Sequence, residues 1–174
     1  MTFGGLGAHV KEFYAHHLRF RSRQFAVLWF AEEADGVLLG PEGKLLAFGT
    51  TAELYSYAHA HGFALSPDAG AILDLDSVAD WCARPSADTL SCATLLDAWN
   101  FFGDVRAGAG PADSQFIGDL DEFDGLNARL FHGCNLPAVT PQGERFDPVW
   151  SVQDVEAVAT VLRSGLEDLE RRLP

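Results

Sequence analysis

The chain has few of the residues that mark secreted, membrane-spanning or nucleic-acid-binding proteins. Its 174 residues include only three cysteines, Cys82, Cys92 and Cys134, and this odd number argues against a disulfide framework. The longest apolar run, Phe25–Ala31, is far shorter than the ~20 residues of a membrane-spanning helix. Basic residues are also scarce, with 12 Lys and Arg against 25 Asp and Glu. This deficit argues against direct binding to nucleic-acid phosphates.

The cysteines and the start of the chain both favour a cytoplasmic protein. The opening residues, MTFGGLGAHVKEF, lack the basic region followed by an apolar region that characterises an export signal. We therefore expect a reducing compartment, in which all three thiols stay free. A chain of this length can bury a sizeable core without a metal or a cofactor, and we expect one globular domain over 1–174.

The first half of the chain carries strand, turn and helix signals. Phe25–Ala31 is short and rich in aromatic and β-branched residues, which predicts a buried strand. Pro41-Glu-Gly43 lies between two apolar runs and predicts a hairpin turn. Thr50-Thr-Ala-Glu53 is a capping-box sequence and predicts a helix over Thr51–His61.

The second half is predicted to be mainly helical. Apolar spacing predicts a helix from Ala87 to Phe102 that Gly103 closes, followed by a loop over Ala107–Asp113. A helix is also predicted over Asp121–His132, and Ser151 begins a capping sequence before a long amphipathic helix. The expected fold is α+β, with an antiparallel sheet from the N-terminal half packed against several helices, including the long C-terminal one.

The negative charge is concentrated in the middle of the chain. Residues 51–128 contain thirteen acidic and two basic residues, so they carry −11 of the total charge of −13. Such a region suits an electrostatically steered encounter with a basic protein, in which interleaved apolar residues act as anchors. We nominate as partner-binding residues the densest acidic part with its central aromatic: Asp113, Asp119, Asp121, Glu122, Phe123 and Asp124. Asp74, Asp76 and Asp80 form a second choice.

No metal or catalytic motif is complete. The run from Asp119 to Gly125 has calcium-type ligands but not the EF-hand register, because Phe123 stands at a ligand position and Asp124 at the glycine position. We therefore predict no metal site, no cofactor and no catalytic residue. Two alternatives stay open: a small cytoplasmic enzyme with a site near His132 and Cys134, and an acidic adaptor module in a larger assembly.

One segment of the chain resembles a known family. The residues LFHGCNLPAVTPQGE at 130–144, followed by FDPVWS at 146–151, resemble bacterial immunity proteins of polymorphic toxin systems, with the nearest likeness to those of contact-dependent growth inhibition. The resemblance implies a cytoplasmic protein that binds a cognate toxin domain, commonly a basic nuclease, and blocks its active site or substrate groove. We accordingly expect inhibition without catalysis, and the composition predicts no contact with a membrane or directly with nucleic acid. The resemblance supplies no contact residue, so the nominated residues depend on charge and composition only.

Overall fold

The computed structural model describes residues 11–32, 34–67 and 70–174. The opening residues, on which the expectation of a missing export signal depends, lie mostly outside these ranges. Within the ranges, no helix combines the length and the apolar character that a lipid bilayer requires of a spanning segment.

A long antiparallel hairpin forms the centre of the sheet. Its strands are β1 (Glu12–Phe20) and β2 (Arg23–Ala31). The two turn residues, Arg21 and Ser22, have φ angles of 53° and 58°, the left-handed conformation that suits a two-residue hairpin. Their backbone N–H groups donate to the carboxylate of Asp76, at 2.6 and 2.9 Å. These hydrogen bonds stabilise a turn whose residues are unfavourable for its geometry.

Two very short strands complete the sheet. β3 (Gly36–Val37) pairs antiparallel with β2, and β4 (Leu73–Asp74) pairs parallel with β1, so that the order is β3-β2-β1-β4. The predicted α+β class is confirmed, and the parallel β4 makes the sheet mixed. Pro41–Gly43 forms the predicted turn, as a 3-10 turn next to an antiparallel bridge between Leu39 and Leu45.

Helices account for most of the remaining described residues. They are α1 (Thr51–Ala60), α2 (Leu75–Ala83), α3 (Cys92–Ala109), α4 (Asp124–Gly133) and α5 (Val152–Arg172). Further 3-10 turns cover Ala87–Thr89, Pro111–Asp113 and Asp121–Phe123. The predicted capping boxes at the starts of α1 and α5 are both present, formed by Thr50 with Glu53 and by Ser151 with Asp154. Each box satisfies backbone N–H groups that a helix terminus leaves without partners.

The sheet is covered on both faces, which explains the continuous apolar run in β2. Val27 is fully buried in the main core, formed with α2, α3 and α5, whereas Leu28 is fully buried in a smaller cluster with Leu54 and Ala58 of α1. Successive strand residues point to opposite faces, so a strand buried on both sides has to be apolar at every position. The face covered by α2, α3 and α5 is the one that positions the candidate site.

Helix α3 extends beyond its predicted end at Phe102. It begins at Cys92, capped by Ser91, and continues through Gly103 to Ala109, so the predicted loop over Ala107–Asp113 is wrong for its first residues. Tertiary packing overrides the low helix propensity of glycine here. A Cβ atom on Gly108 would lie 2.2 Å from the backbone oxygen of Val37, so only glycine lets this end of α3 approach β3 so closely.

Helix α5 packs against α2 and α3 and carries a buried ion pair. Asp168 is 2% exposed and Arg172 is 6% exposed, and the Nε of Arg172 lies 3.2 Å from Oδ2 of Asp168. Arg172 also donates to the backbone oxygens of Gly43, at 2.9 Å, and Asp113, at 2.6 Å. This ion pair therefore joins the end of α5 to the turn after β3 and to the turn after α3.

Candidate functional site

Two adjoining cavities, of about 490 and 640 Å³, lie along one side of α3. Trp29, Asn100 and Asp104 line both of them, so the cavities form a continuous depression that we call the α3 groove. Six carboxylates line the groove: Asp35, Asp74, Asp97, Asp104, Asp119 and Asp124. Concave sites of this size with a few convergent polar groups are typical of binding sites.

One face of helix α3 forms one wall of the groove. Asp97, Asn100, Phe101 and Asp104 follow one another at intervals of three, one and three residues, which places them on one face of a helix. The opposite face carries buried apolar residues such as Leu95 and holds α3 in the core. The wall is therefore fixed by the packing of the helix.

Asp104 is the most perturbed carboxylate of the groove. Its Oδ2 accepts a hydrogen bond from Nε1 of Trp29, at 2.8 Å. The pKa of Asp104 is raised to about 6, mainly by burial and to a smaller extent by the neighbouring charges of Asp35 and Asp119, although the hydrogen bond from Trp29 acts in the opposite direction. Burial raises the pKa of Asp97 as well. The ionised forms of both carboxylates are therefore unfavourable unless a positive charge lies nearby.

His16, from β1, lines the smaller cavity, of about 490 Å³, together with Phe101. The two rings stack with centroids 5.4 Å apart and an interplanar angle of 11°. Burial lowers the pKa of His16, and the charge of His17 lowers it further, so the ring is neutral at pH 7. The Nε2 atom of His16 is buried and has no hydrogen-bond partner among the described residues. A buried polar atom without a partner is unfavourable and is typical of a functional position.

Positive charge balances only a minority of the groove carboxylates. Arg19 lies 3.1 Å from Asp74, and Arg106 lies 2.9 Å from Asp119. Asp35, Asp97, Asp104 and Asp124 form no ion pair with any residue that the structure describes. The groove consequently carries a net negative charge in a partly desolvated setting, where electrostatic interactions are stronger than on an open surface.

The structure separates the six residues nominated from the sequence. Asp119 and Asp124 line the groove, whereas Asp121 and Glu122 are exposed on the 3-10 turn before α4. Phe123 is half-buried and packs against the main core. Asp113 lies elsewhere: it lines a different cavity beside the end of α5, and its backbone oxygen accepts the hydrogen bond from Arg172.

The second-choice carboxylates also have different roles. Asp74 lines the groove and caps α2 by accepting the backbone N–H of Ser77, at 3.2 Å. Asp76 stabilises the β1–β2 turn, and Asp80 is exposed on α2. Only Asp74 of this set belongs to the candidate site.

The residues of the enzyme alternative hold the segment after α4 in place. The thiol of Cys134 donates to the backbone oxygen of Leu130, at 3.3 Å, and burial raises its pKa, an effect that the charge of Asp97 reinforces. The ring of His132 packs edge-on against Phe146. The amide of Asn135 bonds both the backbone N–H and the backbone oxygen of Phe146. A raised pKa leaves less of the thiol as the reactive thiolate, so these contacts give no support to the enzyme alternative.

Sequence reasoning missed the central residues of the groove. Charge density favours the run around residues 119–124 and passes over His16, Trp29, Asp97, Asn100 and Asp104. The signal on α3 is the polar spacing described above, on the side opposite the apolar stripe. His16 and Trp29 carry no comparable signal, because only the packing of the sheet against α3 brings them to the groove.

Neutralising Asp104 is expected to stabilise the protein at neutral pH. In the Asp104→Asn variant the side chain keeps its acceptor for Trp29 but loses its charge. Asp104 binds its proton more tightly in the folded protein, with a pKa of about 6, than when unfolded, with a pKa of 3.8. Its cost to stability is therefore absent below pH 4, grows between pH 4 and 6 and is complete above pH 6.

We expect a gain of about 1 kcal/mol at pH 7.5, because the side chain keeps some contact with water, and no gain near pH 4. Urea unfolding followed by circular dichroism at several pH values measures the difference. Asp88→Asn, which removes an exposed carboxylate outside the groove, is the control and should change little. A variant less stable than the original chain at pH 7.5 would contradict the predicted destabilisation of the fold by the ionised carboxylate of Asp104.

Neither metal-ligating side chains nor known relatives indicate a role for the groove. Among the described residues, no three His, Cys, Asp or Glu side chains come close enough together to hold a metal ion. Any role for the groove therefore has to be argued from its shape and charge. Comparisons of the chain with protein families, with characterised proteins and with solved structures found no match.

Proposed function

We propose that this protein is a cytoplasmic immunity protein that binds a cognate toxin domain with a basic substrate groove, such as a nuclease, and blocks it. The observation that carries the proposal is the α3 groove, in which four of six carboxylates have no ion-pair partner among the described residues. Mutual repulsion and desolvation make such a site unfavourable in the free protein, and a cationic partner relieves both.

The geometry suits the inhibition of an enzyme that acts on phosphates. A nuclease holds phosphate groups with Lys and Arg side chains, and carboxylates can occupy the same positions. Carboxylates spaced along a helix and its neighbouring turn present several negative charges in a fixed arrangement. Complementary fields also raise association rates, which suits an inhibitor that has to reach its toxin before the toxin acts.

The segment that resembles immunity proteins helps to position one helix of the groove. It begins in α4, the helix that supplies Asp124 and Asn127 to the groove. A Cβ atom on Gly133 would lie 2.5 Å from the sulfur of Cys92 and 3.1 Å from Pro148, so the end of α4 packs tightly against the start of α3. In this proposal the segment fixes α4 relative to α3 and does not itself contact the toxin.

Reversing two groove charges tests the proposal. The double variant Asp97→Lys/Asp124→Lys changes exposed residues that form no ion pair among the described residues, so the fold is expected to tolerate it. With a toxin domain taken from any toxin gene that adjoins the gene for this chain, we expect the association rate constant at low salt to fall about 100-fold. The same variant should fail to protect cells that express the toxin.

The matched control is Asp80→Lys/Asp88→Lys, which changes the net charge equally at exposed positions outside the groove. Its association rate constant should fall no more than about threefold, because distant charges are screened by salt. Equal effects of the two double variants would contradict the groove as the binding site. Failure of the unmodified chain to protect against every such toxin domain would contradict the immunity function, and a stable complex without protection would favour the adaptor alternative.

A further inference from the structure

The smaller cavity of the α3 groove is lined by both aromatic rings and carboxylates. Trp29 and Phe101 supply the rings, and Asp97 and Asp104 supply the carboxylates. The Nε2 atom of His16 is buried without a partner among the described residues, and it is an acceptor when the proton of the neutral ring is on Nδ1. At about 490 Å³ the cavity can admit a long side chain from a bound protein, together with water.

This set of groups fits a guanidinium better than other common side chains. A guanidinium is planar, stacks on aromatic rings and presents five N–H donors around its edge. The groove offers acceptors on two carboxylates of α3 that stand seven residues, about two helical turns, apart, and on a neutral imidazole. An ammonium group would satisfy the charge but not the flat shape, and an anion would be repelled.

We infer that this cavity is a socket for one arginine side chain of the bound protein, with the guanidinium against Trp29 and within reach of Asp97, Asp104 and His16. The identity of the bound protein rests on the proposed function, whereas the socket itself does not. An arginine held against an aromatic ring by charged acceptors is typical of the few residues that dominate binding energy. The remaining groove carboxylates then act mainly on the rate of association.

The socket can be tested on the isolated protein with n-propylguanidinium as the probe. The indole N–H of Trp29, which donates to Asp104, reports on the cavity in two-dimensional NMR spectra. We expect saturable shifts of this signal with a dissociation constant of about 1–10 mM, as befits a small fragment. The neutral isostere n-propylurea and the lysine analogue n-butylammonium should each bind at least about tenfold more weakly.

Two variants should weaken the probe about tenfold: Asp104→Asn and, as a second independent change, Asp97→Asn. Asp88→Asn is the matched control, because Asp88 is an exposed carboxylate outside the groove, and it should bind the probe within about twofold of the original chain. Equal binding of n-propylurea, or an unmoved Trp29 signal, would overturn the socket, and equal binding of n-butylammonium would overturn the assignment to arginine.

These experiments distinguish a failure of the proposed arginine socket from a failure of the proposed immunity function. Probe binding without protection against a toxin would overturn only the function. Conversely, protection with an unchanged affinity of Asp104→Asn and Asp97→Asn for the toxin would overturn only the socket.

Discussion

Replacing Asp168 by alanine is expected to lower the free energy of unfolding by about 3–5 kcal/mol, because the variant leaves the buried guanidinium of Arg172 without its carboxylate. Asp168 also accepts hydrogen bonds from the hydroxyl of Ser114, at 2.7 Å, and from the backbone N–H of Gln115, at 3.2 Å. Chemical denaturation followed by circular dichroism measures the loss.

Two further variants make the Asp168 test specific. Glu167→Ala, at the exposed neighbouring position, should change stability by less than about 0.5 kcal/mol. In the double variant Asp168→Ala/Arg172→Met both charges are gone, and it should be more stable than Asp168→Ala alone. A double variant as unstable as the sum of its single changes would show that the ion pair itself contributes nothing.

The Asp168 contacts also reach toward the candidate site. Ser114 and Gln115 lie in the connection that leads from the turn after α3 to Asp119 in the groove. Loss of these contacts should loosen that connection before the protein unfolds as a whole. Faster amide exchange at residues 114–119 in Asp168→Ala is the expected sign.

Truncating Phe102 to alanine is expected to cost about 3–5 kcal/mol. Phe102 is 1% exposed, and its ring lies 5.9 Å from that of Phe116 and 6.0 Å from that of Phe101, measured between centroids. The loss combines removal of a buried ring with the cavity left behind. Phe146→Ala, which truncates a phenylalanine that is 45% exposed, is the matched control and should cost much less.

Gly165 of α5 packs directly against the ring of Phe102, and this contact provides a second test of the same packing. A Cβ atom on Gly165 would lie 2.2 Å from the ring, so Gly165→Ala should destabilise the original chain by about 1–3 kcal/mol. In the Phe102→Ala background the ring is gone, and the same change should stabilise through helix propensity and partial filling of the cavity. Equal effects of Gly165→Ala in both backgrounds would contradict this packing.

The parts of the fold that follow from local signals could be predicted from the sequence. The capping boxes at Thr50 and Ser151 satisfy helix termini through neighbouring residues, so the starts of α1 and α5 follow from a few letters. The end of α3 could not be predicted in this way. The glycines in its last turns indicate a terminus by propensity, but contact with β3, which is remote in sequence, keeps them helical.

The candidate site could be predicted only in part, for the same reason. Charge density indicates the segment that contains Asp119 and Asp124, both of which line the groove. The hydrogen bond between Trp29 and Asp104, however, joins residues 75 positions apart. No local pattern encodes such a contact, because it depends on how the sheet and α3 pack together.

The brevity of β3 and β4 bears on how the molecule behaves at high concentration. Each outer strand offers only two residues of ladder, while the nine-residue strands lie between them. Each outer strand by itself therefore offers a neighbouring molecule little backbone on which to extend the sheet.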